Sequence, residues 1–119
     1  MTTGEGATAR EIRIRPVRET SQNDVEALLT WLTREPIVQE KLAGGEVRVQ
    51  QRPTADGHGT PMGLGMEIVL IVVQGVAAAV IVELMDQAKS AVREWRANRR
   101  SVGEQDPPDF DVTSDRDER

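Results

Sequence analysis

Sixteen apolar residues of this 119-residue chain fall within residues 62–82 (MGLGMEIVLIVVQGVAAAVIV), and no other segment limits its folding options as much. A run this apolar has to leave water, where each buried methylene is worth about 0.8 kcal/mol. A bilayer, the chain's own core or another molecule can receive it. Length argues against the bilayer: residues 68–82, the uncharged part, would make a helix of about 22 Å against a hydrocarbon thickness of about 30 Å. Extending the span back to Met62 carries Glu67 inside, at a cost of a few kcal/mol. The basic residues that follow (Lys89, Arg93, Arg96, Arg99, Arg100) would put the C-terminus in the cytoplasm. A membrane-attached protein anchored by residues 62–82 is therefore the alternative, and a cytoplasmic one the expectation.

The chain before this run is readable from its periods. Residues 1–10 form a flexible leader. Ile12 and Ile14 alternate with Arg13 and Arg15 as in a strand with one buried face, and Pro16 argues for an edge strand or a bulge. Ser21, Asn23 and Asp24 offer capping oxygens before Val25, Leu28, Leu29 and Leu32, which recur at helical spacing. Pro36 ends that helix, and a further helical turn follows through Ile37, Val38 and Leu42. After Gly44-Gly45, Val47 and Val49 alternate with charged and amide residues as a second strand, for which parallel pairing with the first is the favoured geometry. Residues 53–65 are a Pro/Gly hinge loop.

From residue 66 to 100 the pattern favours one long, mostly apolar helix, interrupted near Gln74-Gly75, although the β-branched run from Ile68 to Val73 also suits a strand. Its second half is amphipathic, with Leu84, Met85, Ala88, Val92 and Trp95 on one side. Residues 101–119 hold seven acids against two arginines, whereas residues 1–100 balance 13 against 13, so the whole net charge of -5 sits in what reads as a disordered acidic tail. The fold class that follows is α+β: two to three strands, an amphipathic helix and the long helix, in a single domain over residues 11–100. One amphipathic stripe and two short strands cannot cover a helix that is apolar all round. The excess points to a contact surface of Ile68, Ile71, Val72, Gly75, Ala78, Ala79, Val82 and Trp95, facing another protein or a second copy.

Chemistry-bearing residues are sparse. Without cysteine there is no thiolate nucleophile, and one histidine with no cysteine leaves few transition-metal ligands. His58 lies in the Gly-rich loop with no serine at a recognisable spacing. Gly57-His58-Gly59 and Gly63-Leu64-Gly65 do not complete a dinucleotide fingerprint, and the acids from Asp109 to Asp117 lack the spacing of a calcium loop. A body without net charge, in a chain with only three aromatic residues, is a poor nucleic-acid binder. The expectation is a noncatalytic protein without metal or cofactor.

The order of features is more specific than any one of them: a strand, a helix of the form DVEALLTWL (residues 24–32), a short polar helix, the strand EVRVQQ, a Pro-rich approach to Met62-Gly63, and an apolar segment with a small-residue break that ends at Trp95-Arg96. Over residues 11–97 this resembles the effector-associated constant component family of actinobacterial conflict systems. The resemblance implies a small noncatalytic α+β component encoded with variable effectors such as caspase-like or trypsin-like peptidases in antiviral defence, acting as an adaptor or tether. Family members continue after the helix into a further strand or hairpin. The acidic, proline-interrupted residues 106–119 depart from that pattern and predict a smaller sheet.

Overall fold

The computed structural model describes residues 10–54 and 65–114. Its elements in chain order are β1 (Arg10–Pro16), α1 (Gln22–Thr33), α2 (Pro36–Ala43), β2 (Val47–Pro53), β3 (Met66–Val72), α3 (Ala78–Ser101) and β4 (Phe110–Ser114). The four strands form one antiparallel sheet in the order β2-β3-β1-β4. β1 and β2 run the same way with β3 between them, and β3 and β4 run the same way with β1 between them. These are two interleaved split β-α-β units, the strand order of the ferredoxin-like arrangement, with a pair of helices in the first crossover.

The largest departure from the sequence expectation is at residues 66–72, which form the central strand β3 rather than the start of a long helix. Ile68, Leu70 and Val72 join the core under the helices, while Val69 is fully buried without belonging to that cluster, so it lies on the opposite face. A strand buried on both faces reads as a continuous apolar run, and four of its seven residues are β-branched. Gly75 at φ +97° turns the chain out of the sheet before α3 starts at Ala78.

β1 is also interior rather than an edge. Its pairing with β3 stops at Ile14 opposite Ile68, so the N–H that Pro16 lacks falls beyond the ladder. The expected parallel pairing of β1 with β2 is likewise replaced, because β3 pairs antiparallel with both. Ser21 caps α1 by accepting from the Asp24 N–H, and Val25, Leu28 and Leu32 form its buried stripe. Pro36 stands at the start of α2, where its missing N–H costs nothing.

The acidic tail is not a tail over its first half. Phe110 and Val112 face the core layer from β4, opposite Pro16 and Ile14, while Asp111 and Thr113 point the other way. α3 holds this strand in place. Its buried stripe (Ile81, Leu84, Ala88, Ala91, Val92, Trp95) ends on the Trp95 indole, which meets the Phe110 ring edge-on with centroids 5.9 Å apart. Arg96 donates to the carbonyls of Pro107 and Pro108. Arg99 stacks over Trp95 at 4.7 Å, and bonds Asp24 at 2.5 Å and Glu104 at 2.9 Å. The leader, except Arg10 which opens β1, and most of the hinge loop lie outside the described residues, as do residues 115–119.

Because β4 closes the core over Trp95, Phe110→Ala is expected to lower stability by about 3–5 kcal/mol. Urea unfolding followed by circular dichroism measures it, and a loss below about 1 kcal/mol would mean that β4 is a dispensable appendage.

Candidate interaction face

The residues expected to form one contact surface are divided by the sheet. Ile68, Val72 and Trp95 are core residues and cannot meet a partner. Ile71 is half-buried, and its register opposite Glu11 and Arg48 puts it on the face away from the core. Gly75, Ala78, Ala79 and Val82 are exposed at the turn before α3 and along its first turns. The reason is topological: four strands and three helices supply the cover that two strands and one stripe did not. No helix among the described residues is long and apolar enough to cross a membrane, and the segment expected as an anchor is divided between β3 and α3.

The core cluster joins residues of α1, α2 and α3 to one set of alternating strand positions. The other set carries Glu11, Arg13 and Arg15 from β1, Arg48, Gln50 and Arg52 from β2, Glu67, Val69 and Ile71 from β3, and Asp111 and Thr113 from β4. Cross-strand register arranges these in rows, one of which alternates in charge: Arg52 on β2, Glu67 on β3, Arg15 on β1 and Asp111 on β4. The next row holds Gln50, Val69, Arg13 and Thr113. Opposite charges in such directly facing positions stabilise a sheet by about 0.2–1 kcal/mol per pair.

The salt links follow the rows and cross them. Arg15 Nε lies 3.1 Å from Glu67 Oε1. Arg52 Nη2 reaches Glu11 Oε2 at 2.7 Å, and Arg13 Nε approaches Glu11 Oε1 at 3.5 Å. The Arg52–Glu11 link runs from β2 to β1 across β3, over the position of Val69, and accounts for an apolar side chain with no exposure on a face without a helix. Long arginine stems cover apolar surface while their heads stay wet. Between Arg13, Arg15, Arg52 and Glu67 lies a hollow of about 250 Å³. Arg52 Nε and Nη2 are buried and make no hydrogen bond of good geometry among the described residues, although Nη2 sits within ion-pair distance of Glu11. Glu67 Oε1 is in the same position beside Arg15. At these atoms the proximity is electrostatic rather than directional, which leaves donor capacity on Arg52 and acceptor capacity on Glu67.

Among the described residues no three His, Asp or Glu side chains gather as metal ligands would. His58, the one imidazole, lies outside the described residues. Sequence reasoning missed this face because it treated the apolar run as the anomaly, and the arginines of β1 and β2 as the solvated half of two separate strands. Their shared face is a property of the register.

Glu67 is 7% exposed, so its carboxylate depends on Arg15. Arg15→Leu is expected to destabilise by about 1–3 kcal/mol, and adding Glu67→Leu to return stability to within about 1 kcal/mol of the parent, because an apolar pair replaces an orphaned charge. Denaturant midpoints of the single and double variants test this, and a double variant no better than the single would show that the pair is not coupled. No family model, curated protein or solved structure matches the chain.

Proposed function

We propose that the chain is a noncatalytic adaptor of a bacterial conflict system, working in the cytoplasm, and that it contacts an effector protein, a caspase-like or trypsin-like peptidase encoded beside it. One observation carries the contact reading: all three helices pack on one side of the sheet, and the opposite side presents an arginine and carboxylate lattice with no helix over it among the described residues. Open sheet faces of this kind are solvated or covered by another molecule, and the hydrogen-bonding capacity of Arg52 favours cover. The adaptor role and the class of effector come from the resemblance described above. β4 after the long helix supports that resemblance too, since it supplies the strand the acidic composition concealed.

The site of contact differs from the one expected from the sequence. The proposed site lies on the charged face instead of the apolar run, whose Ile68 and Val72 are in the core, and Ile71 is common to both. Co-expression of the chain with the peptidase encoded by the adjacent gene, followed by size-exclusion chromatography with light scattering, is expected to give a single complex. Separate elution of the two proteins would remove the adaptor reading.

A further inference from the structure

The two edges of the sheet are not equivalent. In β4 the Val17 N–H to Asp109 carbonyl bond fixes the register, so odd-numbered residues bond to β1 and the backbone groups of Phe110, Val112 and Ser114 face outward. That edge is largely closed. Phe110 N donates to the Asp109 carboxylate, Phe110 and Ser114 are buried, and Asp111 adds an acid.

In β2 the bonds Val73 N–H to Glu46 O and Thr54 N–H to Gly65 O fix the opposite assignment: even-numbered residues bond to β3, and odd-numbered ones face away from the sheet. Val47 is buried, but Val49 and Gln51 are only half-buried, and their outward N–H and C=O groups make no backbone hydrogen bond among the described residues. The side chains that flank this open edge on the helix-free face are Arg48, Gln50 and Arg52, with no acid among them. Arg48 is exposed and has no ion pair among the described residues. An unpaired edge is a template for another strand, and like charges directly opposite each other disfavour it. Pairing with a second copy centred on Gln50 would set Arg48 against Arg52 of the other chain. Centring it on Val49 instead would require the buried edge of Val47.

Resting on the contact-module reading above, we infer that the β2 edge takes an extended acidic segment of a partner protein as a fifth strand. The segment forms main-chain hydrogen bonds with Val49 and Gln51, and places a carboxylate against the exposed Arg48, while Arg52, drawn across β3 to Glu11, adds positive potential four residues along. The backbone supplies affinity, and the two arginines select charge. The same repulsion disfavours a basic strand.

The probe is a labelled, end-blocked octapeptide of alternating Thr and Glu, with alternating Thr and Lys as its counterpart, titrated by fluorescence anisotropy. The acidic peptide is expected to bind and the basic one not to. Arg48→Glu is expected to weaken binding about tenfold through local charge reversal. Gln51→Pro removes an outward N–H and the exposed hydrogen bond that Gln51 Oε1 accepts from Gln22 Nε2 at 2.7 Å, while the ladder to β3 stays intact. It is therefore expected to leave the melting temperature within a few degrees of the parent and to abolish binding, with Gln51→Ala as the control that removes the side chain alone and is expected to bind. No binding of the acidic peptide, equal binding of both peptides, or an unchanged affinity in folded Gln51→Pro would each overturn the proposal. The two readings fail separately. An effector complex that survives Arg48→Glu and Gln51→Pro leaves the adaptor role standing and removes the edge, whereas peptide binding without an effector complex does the reverse.

Discussion

Burial of β3 on both faces is the constraint from which the rest of the molecule follows. A strand whose Ile68 and Leu70 face one layer and whose Val69 faces the other has to be interior, and it needs cover on two sides. The helices provide one cover. On the other side the cover is made of arginine stems tied to Glu11 and Glu67, which holds an apolar residue dry on a face that is otherwise charged. The same requirement explains why β4 is needed. With β2 on one side of β3 and β1 on the other, the inner layer ends at Ile14 unless another strand follows, and Phe110 and Val112 extend it under α3. Trp95 then fills the corner between α1, α3 and β4, with Arg99 over its ring and Arg96 holding the approaching carbonyls.

What the sequence made legible is what has a clean period. Ile12 and Ile14 against Arg13 and Arg15, Val25, Leu28 and Leu32 behind Ser21, and Val47 and Val49 after two glycines each predict their element because one face of it is wet. β3 has no wet face, so neither period appears, and a seven-residue strand joined by a short turn to a 24-residue helix resembles a longer helix with a break. β4 failed for the opposite reason. Its alternation was present in Phe110, Asp111, Val112 and Thr113, but the surrounding acids and prolines carried the compositional signature of disorder. That signature reports average hydrophobicity, and a five-residue strand needs only two apolar side chains and a partner with an open edge.

The apparent surplus of apolar surface came from the same two errors. Once Met66–Val72 leaves the helix and Phe110–Ser114 joins the sheet, most of residues 62–82 that are described have partners within the chain, and the exposed apolar remainder is small: Ala77, Ala78, Ala79 and Val82, beside Gln74 and Gly75. Scattered small apolar residues on a helix are ordinary surface. The site could not be found by asking which residues are too apolar. It depends on which alternating side chains of distant strands share a face, and that is decided by long-range register.

Register also separates the two roles of the basic residues. Arg96 and Arg99 belong to the helix layer and are used in holding the segment between α3 and β4, through carbonyls, Asp24 and Glu104. Arg13, Arg15 and Arg52 lie on the sheet layer, where Glu11 meets both Arg13 and Arg52 and Glu67 meets Arg15. In the first group charge is spent within the fold, at well-formed hydrogen bonds. In the second the ion pairs are close but poorly aligned, and Arg48 stands outside them at the edge. Arg52, whose Nε and Nη2 are buried beside Glu11 without a hydrogen bond of good geometry, is held in place by its neighbours, and a side chain ordered in this way loses little entropy on meeting a further acceptor. The charge order on this face is a feature that alternation in β1 and β2 writes into the sequence and pairing through β3 assembles.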